Sequence, residues 1–313
     1  MSRSICTVNK AHCFRTIVAD PTDGQCVNGC KFCYSRKFDP IRRSHSGNRQ
    51  TFSTDTVRRQ LARNGNGKLI SKLKEDRVIR IGAMSDIVPS SRTSINNYMN
   101  TLQIIHDAGY HYILVTKSAG AILDEPGFLE LIRDTNGILG VTTAYYSNSN
   151  ARKFENIVAT PPIRRRELVG AAIRMGINVV LRLNPIHPDF MGEHIKVLDW
   201  YMKLGGTRVI LEALRIMSSW AENMPEVDFS SYVTKSNGGC YNGYYTPHRG
   251  TQEHMFTSMI DMAQWLGIQY GTEPIVTICG DMESQDKFGR KGMDCCQASD
   301  IFDLPVPPRT WEE

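Results

Sequence analysis

The chain has 313 residues, of which 41% are hydrophobic and 22% are charged, and its formal net charge is +5. This balance excludes a disordered chain, and the sequence lacks the run of about 18 apolar residues that a membrane-spanning helix needs. We therefore expect a globular, enzyme-sized protein with no membrane association. Because the first residues carry no apolar signal segment, we expect it in the cytoplasm.

Positive charge is concentrated in residues 31–74, where twelve Lys or Arg stand against Asp39 and Asp55, a net of +10. The remainder of the chain is therefore net negative. A local basic surface attracts phosphate-rich molecules, so nucleic acid is a candidate partner. A solvated basic loop and helix would account for the same charges.

Six segments with the apolar, β-branched composition of buried strands recur along the chain, and each ends on polar residues. They are residues 14–20, 77–86, 111–118, 137–144, 177–188 and 207–214. Segments with helical spacing of apolar residues separate them, notably residues 54–63, 94–109, 164–176 and 194–206. This alternation predicts an α/β fold in which a parallel sheet curls into a partial (β/α)6 TIM-like barrel, with its site at the carboxyl ends of the strands.

The regular alternation stops near residue 215. We therefore expect the barrel in residues 1–215 and an irregular C-terminal extension in residues 216–313, which closes the barrel. The extension contains an amphipathic segment at 250–267 and a further strand-like segment at 274–281. The apolar side of the amphipathic segment indicates packing against the core.

The loop at residues 23–36, DGQCVNGCKFCYSR, follows the first predicted strand and holds Cys26, Cys30 and Cys33. Disulfides are rare in a reducing cytosol, so clustered thiols there indicate metal ligands or reactive groups. Three thiolates can ligate three irons of a 4Fe-4S cluster and leave the fourth iron open.

Zinc is the alternative metal for this loop. Structural zinc sites are closed by four ligands, and the fourth would have to come from His12, Cys13 or a distant residue. The corresponding alternative function is a nucleic-acid-binding protein that zinc stabilises at the cysteine loop and that has no catalytic activity.

The CxxxCxxC pattern of Cys26, Cys30 and Cys33, with the aromatic Phe32 before the third cysteine, resembles the radical S-adenosylmethionine superfamily. Within that superfamily, residues 20–215 are most similar to the spore photoproduct lyase group. The shared features are Tyr34 after the third cysteine, Ser85-Asp86-Ile87-Val88 after the second strand, Val115-Thr116-Lys117 on the third strand and Asn184-Pro185 on the fifth.

The resemblance implies a 4Fe-4S cluster on the three cysteines, with S-adenosylmethionine chelated by the open iron. An electron from the cluster would cleave this cofactor to a 5′-deoxyadenosyl radical, which abstracts a hydrogen atom from the substrate. A reductant such as flavodoxin or ferredoxin would supply the electron. The implied substrate is a nucleic acid or a nucleotide, for modification or repair, and a peptide is a further option.

The resemblance also implies which residues contact S-adenosylmethionine. Lys117 is expected at its carboxylate, because a compact cation at a strand end suits that role. Ser85 is expected at its amino-acid end and Phe32 beside its adenine, while Tyr34 follows the third cysteine directly.

Polar residues on later strands are further candidates. Thr142 or Thr143 would add a contact from the fourth strand, and Arg182 would bind the carboxylate or the ribose. Each could equally satisfy neighbouring backbone groups. Glu212, an acid in an otherwise apolar strand, is a candidate for a substrate contact or for a structural hydrogen bond.

One position departs from the pattern of the group. The lyase proper has a hydrogen-donating cysteine three residues before the aspartate of the SDIV turn, where this sequence has Ala83. Repair of the thymine photoproduct by that route is therefore not expected here.

Four further cysteines lie in Gly-rich, polar surroundings of the C-terminal extension: Cys240, Cys279, Cys295 and Cys296. They are candidates for a second metal site, either an auxiliary cluster or zinc. One of them could instead donate hydrogen at the barrel mouth. Unreactive, scattered thiols are the remaining interpretation.

Overall fold

A computed structural model describes residues 5–7, 17–21, 26, 28–33, 52–62, 68–83, 85–155, 159–235, 243–280, 282–288 and 293–307. Its strands, in chain order, are β1 (Ile5–Thr7), β2 (Ile17–Ala19), β3 (Val78–Ile81), β4 (His111–Thr116), β5 (Ile138–Thr142), β6 (Asn178–Ile186), β7 (Arg208–Ala213), β8 (Ile216–Met217), β9 (Tyr232–Lys235), β10 (Tyr244–Pro247) and β11 (Ile275–Ile278).

Within the described residues, eight strands form the main sheet in the order β1-β2-β3-β4-β5-β6-β7-β11. The seven strands from β2 to β11 in this order are parallel, and β1 pairs antiparallel with β2. Strands β8, β10 and β9 form a separate small antiparallel sheet. The predicted α/β fold with a partial TIM-like barrel is confirmed.

All six predicted strands are present, and the strand-like segment at 274–281 forms β11, which extends the parallel sheet beyond β7. The sheet therefore draws on residues from both sides of position 215.

The helices are α1 (Thr54–Leu61), α2 (Lys68–Asp76), α3 (Arg92–Asp107), α4 (Ala119–Leu123), α5 (Phe128–Asp134), α6 (Asn148–Phe154), α7 (Pro162–Arg174), α8 (Met191–Lys203), α9 (Arg249–Tyr270), α10 (Met282–Phe288) and α11 (Ala298–Phe302). Side-chain caps define several of their starts. Ser91 accepts a hydrogen bond from the Ser94 amide at 3.2 Å and begins α3. None of the helices in the described part of the chain is long and apolar enough to cross a bilayer.

Alternate residues of the parallel strands pack into two different layers, as the two-residue period of a strand requires. One set faces the helices and includes Ile79, Leu114, Leu139, Leu181 and Leu211. The other set faces the barrel interior and includes Val78, Ile113, Ile138, Val180 and Ile210. These interior residues are buried and apolar, so they form the floor of the barrel.

The C-terminal segment packs against the amino ends of the strands. The ring of Phe302 stacks on His111, the first residue of β4, with 4.2 Å between ring centres. Arg208, the first residue of β7, donates a hydrogen bond of 2.6 Å to Asp300. Cys295, Cys296 and Ala298 belong to the same apolar cluster as the interior strand residues. The carboxyl ends of the strands lie at the opposite end of the lumen.

Candidate functional site

The cysteine loop follows the carboxyl end of β2 and is tied to the body of the protein by its backbone. The Lys31 amide donates to the carbonyl of Phe154 at 2.9 Å, and the Cys33 amide donates to the carbonyl of Cys30 at 3.1 Å. Gly29 has a φ of +51°, which a residue without a Cβ adopts at little cost. The loop therefore turns sharply between its first and second cysteines.

The carboxylate of Asp86 connects this loop to two strand ends. Its Oδ2 accepts hydrogen bonds from Asn28 Nδ2 and from the Lys117 amide, both at 2.7 Å. Its Oδ1 accepts from Thr116 Oγ1 at 2.6 Å and from the Ile87 amide at 2.8 Å. Asp86 is buried, so these four donors take the place of water around its charge.

The three cysteines lie close enough to influence one another electrostatically. Burial raises the pKa of Cys26 to about 12, with Asp86, Cys30 and Cys33 as smaller contributions in the same direction. Burial also raises the pKa of Cys30 to about 11, although Lys117 acts in the opposite direction. In the absence of metal these two thiols are protonated at neutral pH, and a bound metal must displace their protons.

A buried trio of charges stands beside Cys30. Lys117 Nζ donates to Glu155 Oε1 at 2.9 Å and lies 3.4 Å from Cys30 Sγ. Arg165 Nη1 donates to Glu155 Oε1 at 3.1 Å, and Arg165 Nη2 contacts the other oxygen of the same carboxylate. Burial alone would raise the pKa of Glu155, but Arg165 and Lys117 outweigh it and lower this pKa to about 2. Two cations share one anion, which leaves positive charge beside the cysteine loop.

Three of the residues predicted to contact S-adenosylmethionine are linked to the surroundings of Cys30 in the structure. The Phe32 ring lies against Lys117, with Nζ 4.6 Å from the ring centre, so both are beside Cys30. The buried Thr142 is linked to this site through Arg165, because its carbonyl oxygen accepts a hydrogen bond of 3.3 Å from Arg165 Nη1. Tyr34 lies outside the described residues.

Ser85 lies in the turn after β3, next to Asp86. Its Oγ is buried and lies beside the phenol of Tyr98, close enough for the two hydroxyls to interact.

Arg182 lies in register with Thr142 of the neighbouring strand β5. Its Nη2 is 3.4 Å from Glu212 Oε2, and the side chain is buried. The stem of Arg182 crosses β5 at Gly140: a Cβ added to Gly140 would lie 3.4 Å from Arg182 Cδ.

A buried aromatic cluster supports the wall behind Glu155. Tyr145 stacks on Phe154 with 4.9 Å between ring centres, and its hydroxyl lies 3.0 Å from Nε2 of His187. His194 donates from Nδ1 to the carbonyl of Ala144 at 2.6 Å and accepts at Nε2 from the His187 amide at 3.2 Å. Burial lowers the pKa of His194 to about 4 and that of His187 to about 2, so both imidazoles are neutral.

The described cysteines of the C-terminal extension lie outside the cysteine loop, in a separate apolar cluster. Cys279, Cys295 and Cys296 are buried in the apolar cluster of the barrel floor, and Cys240 lies outside the described residues. Across the described ranges, no group of three or more His, Cys, Asp or Glu side chains is arranged to hold a single metal ion.

Sequence reasoning missed three residues of the site: Asn28, Glu155 and Arg165. Arg165 lies in a run of three arginines, a pattern typical of a solvated surface. Its spacing from Leu168, Val169 and Ala172, however, places it on the buried side of α7. That spacing is the feature of the sequence from which the burial of Arg165 could have been predicted. Glu155 ends α6 and has no comparable signal in the sequence.

No protein-family model and no curated protein matches the chain. Solved structures match it in fold. Spore photoproduct lyase, complexed with dinucleoside spore photoproduct, has a TM-score of 0.58 at 14% identity, over 81% of this chain and 74% of that chain. SuiB from Streptococcus suis, bound to the precursor peptide SuiA, has a TM-score of 0.55 at 10% identity, over 84% of this chain and 48% of that chain. Both are radical S-adenosylmethionine enzymes, so the resemblance expected from the sequence is confirmed at the level of the fold.

Proposed function

We propose that this protein is a radical S-adenosylmethionine enzyme with a 4Fe-4S cluster on Cys26, Cys30 and Cys33. One observation carries the proposal: within the fold of radical S-adenosylmethionine enzymes, three mutually interacting thiols lie in one loop beside the buried cation Lys117. Soft thiolates are the ligands that iron-sulfur clusters use. Cys26, Cys30 and Cys33 would supply the thiolates that hold such a cluster.

The residues around the loop fit such a group. A cluster held by the three cysteines would supply the electron for reductive cleavage of S-adenosylmethionine, and thereby for hydrogen abstraction from the substrate. The positive charge that Glu155 leaves on Lys117 and Arg165 offsets the negative charge of bound thiolates. Asp86 holds the loop by way of Asn28, and the buried aromatic wall excludes water from the reacting centre.

The proposed cofactor contacts follow from these positions. Lys117 Nζ binds the carboxylate of S-adenosylmethionine, and Ser85 Oγ, which is buried in the turn after β3, binds its amino-acid end. Phe32 and Thr142 also lie near the cysteine loop. Phe32 contacts the adenine of S-adenosylmethionine, and Thr142 adds a polar contact to the cofactor. Tyr34 is the fifth proposed contact, by its place after the third cysteine.

The proposed substrate is a nucleic acid or a nucleotide. The basic segment 31–74 supports this class, and its described arginines Arg58 and Arg59 are exposed on α1. The fold is shared with a lyase that binds a dinucleoside photoproduct, and also with an enzyme that binds a peptide, which keeps a peptide as the alternative. Ala83 occupies the position of the lyase's hydrogen donor, so we propose modification of an undamaged substrate rather than photoproduct repair.

A cytoplasmic location and a reductant such as flavodoxin or ferredoxin complete the proposal. Both follow from the chemistry, because the three thiols must stay reduced and the cluster needs a one-electron donor. A second metal site is not part of the proposal, since Cys279, Cys295 and Cys296 pack among apolar side chains.

Metal content tests this function against the zinc-stabilised nucleic-acid-binding alternative. Protein purified without oxygen should carry iron and sulfide, with a cluster signal in electron paramagnetic resonance after reduction. Cys30→Ala should lose most of the iron, whereas Cys295→Ala, a buried cysteine outside the loop, should keep it. Colourless protein with one zinc per chain would establish the alternative. Deuterium transfer from labelled nucleotide or peptide fractions into 5′-deoxyadenosine would then separate the two substrate classes.

A further inference from the structure

The cysteine loop reaches the surface of the protein along its second half. Cys30 is buried, whereas the three residues that follow it, Lys31, Phe32 and Cys33, are half-buried. The hydrogen bond of 2.9 Å from the Lys31 amide to the carbonyl of Phe154 places this half of the loop beside the end of α6. A macromolecule that approaches the loop from this side therefore also meets the end of α6.

Three cations lie together at this place. Lys31 belongs to the loop, and Arg152 and Lys153 belong to the last turn of α6, where Arg152 is exposed and Lys153 is half-buried. Across the described residues, no carboxylate forms an ion pair with any of the three. We call Lys31, Arg152 and Lys153 the basic edge of the cysteine loop.

The carboxylates near α6 have other contacts. Glu193 lies at the first turn of the helix, where its Oε2 accepts from the Ser147 amide at 2.8 Å and its Oε1 is 3.7 Å from Lys196 Nζ. Asp189, in the turn before α8, accepts from the Asp228 amide at 3.2 Å. One exposed carboxylate cannot offset three cations, so the basic edge is net positive.

The bound thiolates do not need the charge of the basic edge. The buried trio of Lys117, Arg165 and Glu155 already supplies one net positive charge beside Cys30. The cations of the basic edge lie further out, where water surrounds them, and they contribute a positive field at the surface of the loop. This field is available to a partner that carries negative charge.

We propose that the basic edge is the docking surface for a small acidic electron-transfer protein, which passes its electron to the cluster. The inference rests on the proposed function, which requires an external one-electron donor, and it adds the face on which the donor binds and the sign of the donor's charge. The donor's own cofactor is oxidised by one electron, and that electron enters at the cysteine loop. Opposite charges on the two surfaces raise the rate of their encounter and orient the donor toward the loop.

The aromatic rings at the basic edge favour a protein partner over a single-stranded nucleic acid. Stacking on exposed rings supplies much of the affinity for single strands. Here Phe32 is half-buried with Lys117 Nζ 4.6 Å from its ring centre, and Phe190 has Lys153 Nζ 5.4 Å from its ring centre. Both rings also pack against the same apolar cluster, so their faces are occupied.

Calorimetric titration of the cluster-loaded, full-length protein tests the proposal, with an acidic flavodoxin and an acidic ferredoxin as separate oxidised probes. At least one probe should bind, more weakly as salt is added. The double variant Arg152→Gln/Lys153→Gln should weaken binding by about twofold to fivefold per charge, the size of one exposed charge pair, and Lys31→Gln by a similar factor. Lys203→Gln removes an exposed cation from the last turn of α8 and is the matched control, which should bind as the wild type does.

Reduction kinetics connect this binding to electron transfer. The bleaching of the cluster absorbance by the reduced probe should slow in the double variant by the same factor as binding weakens. With excess dithionite, which needs no docking surface, the double variant should form 5′-deoxyadenosine at the wild-type rate. A loss with dithionite as well would contradict a role in docking.

The proposal fails if neither probe binds, or if the double variant and Lys203→Gln have equal effects. A labelled single-stranded oligonucleotide provides the competing outcome. If the double variant weakens binding of the oligonucleotide and leaves binding of both protein probes unchanged, the basic edge is a nucleic-acid surface and the proposal is overturned. Protein that takes up no iron would overturn the proposed function instead, and the same titrations would still decide whether the basic edge binds an acidic protein.

Discussion

Asp86 Oδ2 accepts a hydrogen bond of 2.7 Å from Asn28 Nδ2, which joins the cysteine loop to the turn after β3 across 58 positions of sequence. Three further donors, from Ile87, Thr116 and Lys117, surround the same buried carboxylate. The buried carboxylate therefore links the loop that carries the three thiols to the turn after β3 and to the end of β4.

Replacing this carboxylate should release the loop. Asp86→Asn puts an amide donor among four donors, and each group left unsatisfied costs about 1–3 kcal/mol. We expect a lower free energy of unfolding and, after anaerobic reconstitution, clearly less iron per chain than in the wild type. Asp134→Asn, at an exposed ion pair with Arg133, serves as the control and should leave both quantities unchanged. Full iron loading of Asp86→Asn would show that the loop does not depend on this link.

Glu155 is the shared counter-ion of two buried cations. Glu155→Gln leaves Lys117 and Arg165 without compensation, and the loss of one partner of a buried ion pair costs about 3–5 kcal/mol. Urea unfolding should show a decrease of this size in the free energy of unfolding. Glu167→Gln breaks a partly exposed ion pair with Arg164 on the same helix and should cost less than about 1 kcal/mol. Equal effects of the two substitutions would mean that the buried trio contributes no more than a surface pair.

Two glycines of the barrel interior should respond differently to alanine. Gly82 has a φ of +76°, and a Cβ there would lie 2.1 Å from the carbonyl oxygen of Val115. Gly82→Ala must therefore shift the end of β3 and should cost more than about 2 kcal/mol. At Gly140 the nearest atoms to an added Cβ are side-chain carbons at 3.4 Å, so Gly140→Ala should unfold at nearly the wild-type urea concentration. A tolerated Gly82→Ala would contradict the close approach of β3 and β4.

The two buried histidines make stability depend on pH. His187 and His194 are neutral in the folded protein, while in the unfolded chain they take up protons below about pH 6.5. Stability is therefore lost as pH falls, by about 1 kcal/mol per histidine between about pH 6.5 and about pH 5.5. The loss continues toward the folded pKa values of about 4 for His194 and about 2 for His187.

Urea unfolding at several pH values checks this dependence. His194→Gln should reduce the pH dependence of the unfolding free energy by the contribution of one histidine. His106→Gln, at an exposed position of α3, should leave this dependence unchanged. The carboxylate of Glu155 does not contribute in this window, because its pKa is lowered to about 2. An unchanged slope in His194→Gln would mean that its imidazole is already charged in the folded protein.

The sequence was sufficient to predict the parallel sheet and to single out the three cysteines of one loop. Apolar segments that end on polar residues identify the strands, and the spacing of Cys26, Cys30 and Cys33 identifies the thiols, because both patterns are local. The charges around the thiols depend on long-range packing. Arg164, Arg165 and Arg166 are alike in sequence, yet only Arg165 is turned into the core to meet Glu155.

Local patterns do not predict how the C-terminal cysteines and Arg182 are packed. Adjacent residues of an extended chain point apart, but Cys295 and Cys296 lie in a turn, so both reach the apolar cluster of the floor. The Arg182 stem lies beside Gly140 on the neighbouring strand β5, where an added Cβ would be 3.4 Å from Arg182 Cδ. Such a relationship appears only when strand register is known.

Formation of 5′-deoxyadenosine is the most direct test of the central claim. Iron-loaded wild-type protein, incubated without oxygen with S-adenosylmethionine and dithionite, should release 5′-deoxyadenosine, and Cys30→Ala should release none above the protein-free background. The claim is contradicted if iron-loaded wild type forms no 5′-deoxyadenosine, or if Cys30→Ala forms as much as the wild type.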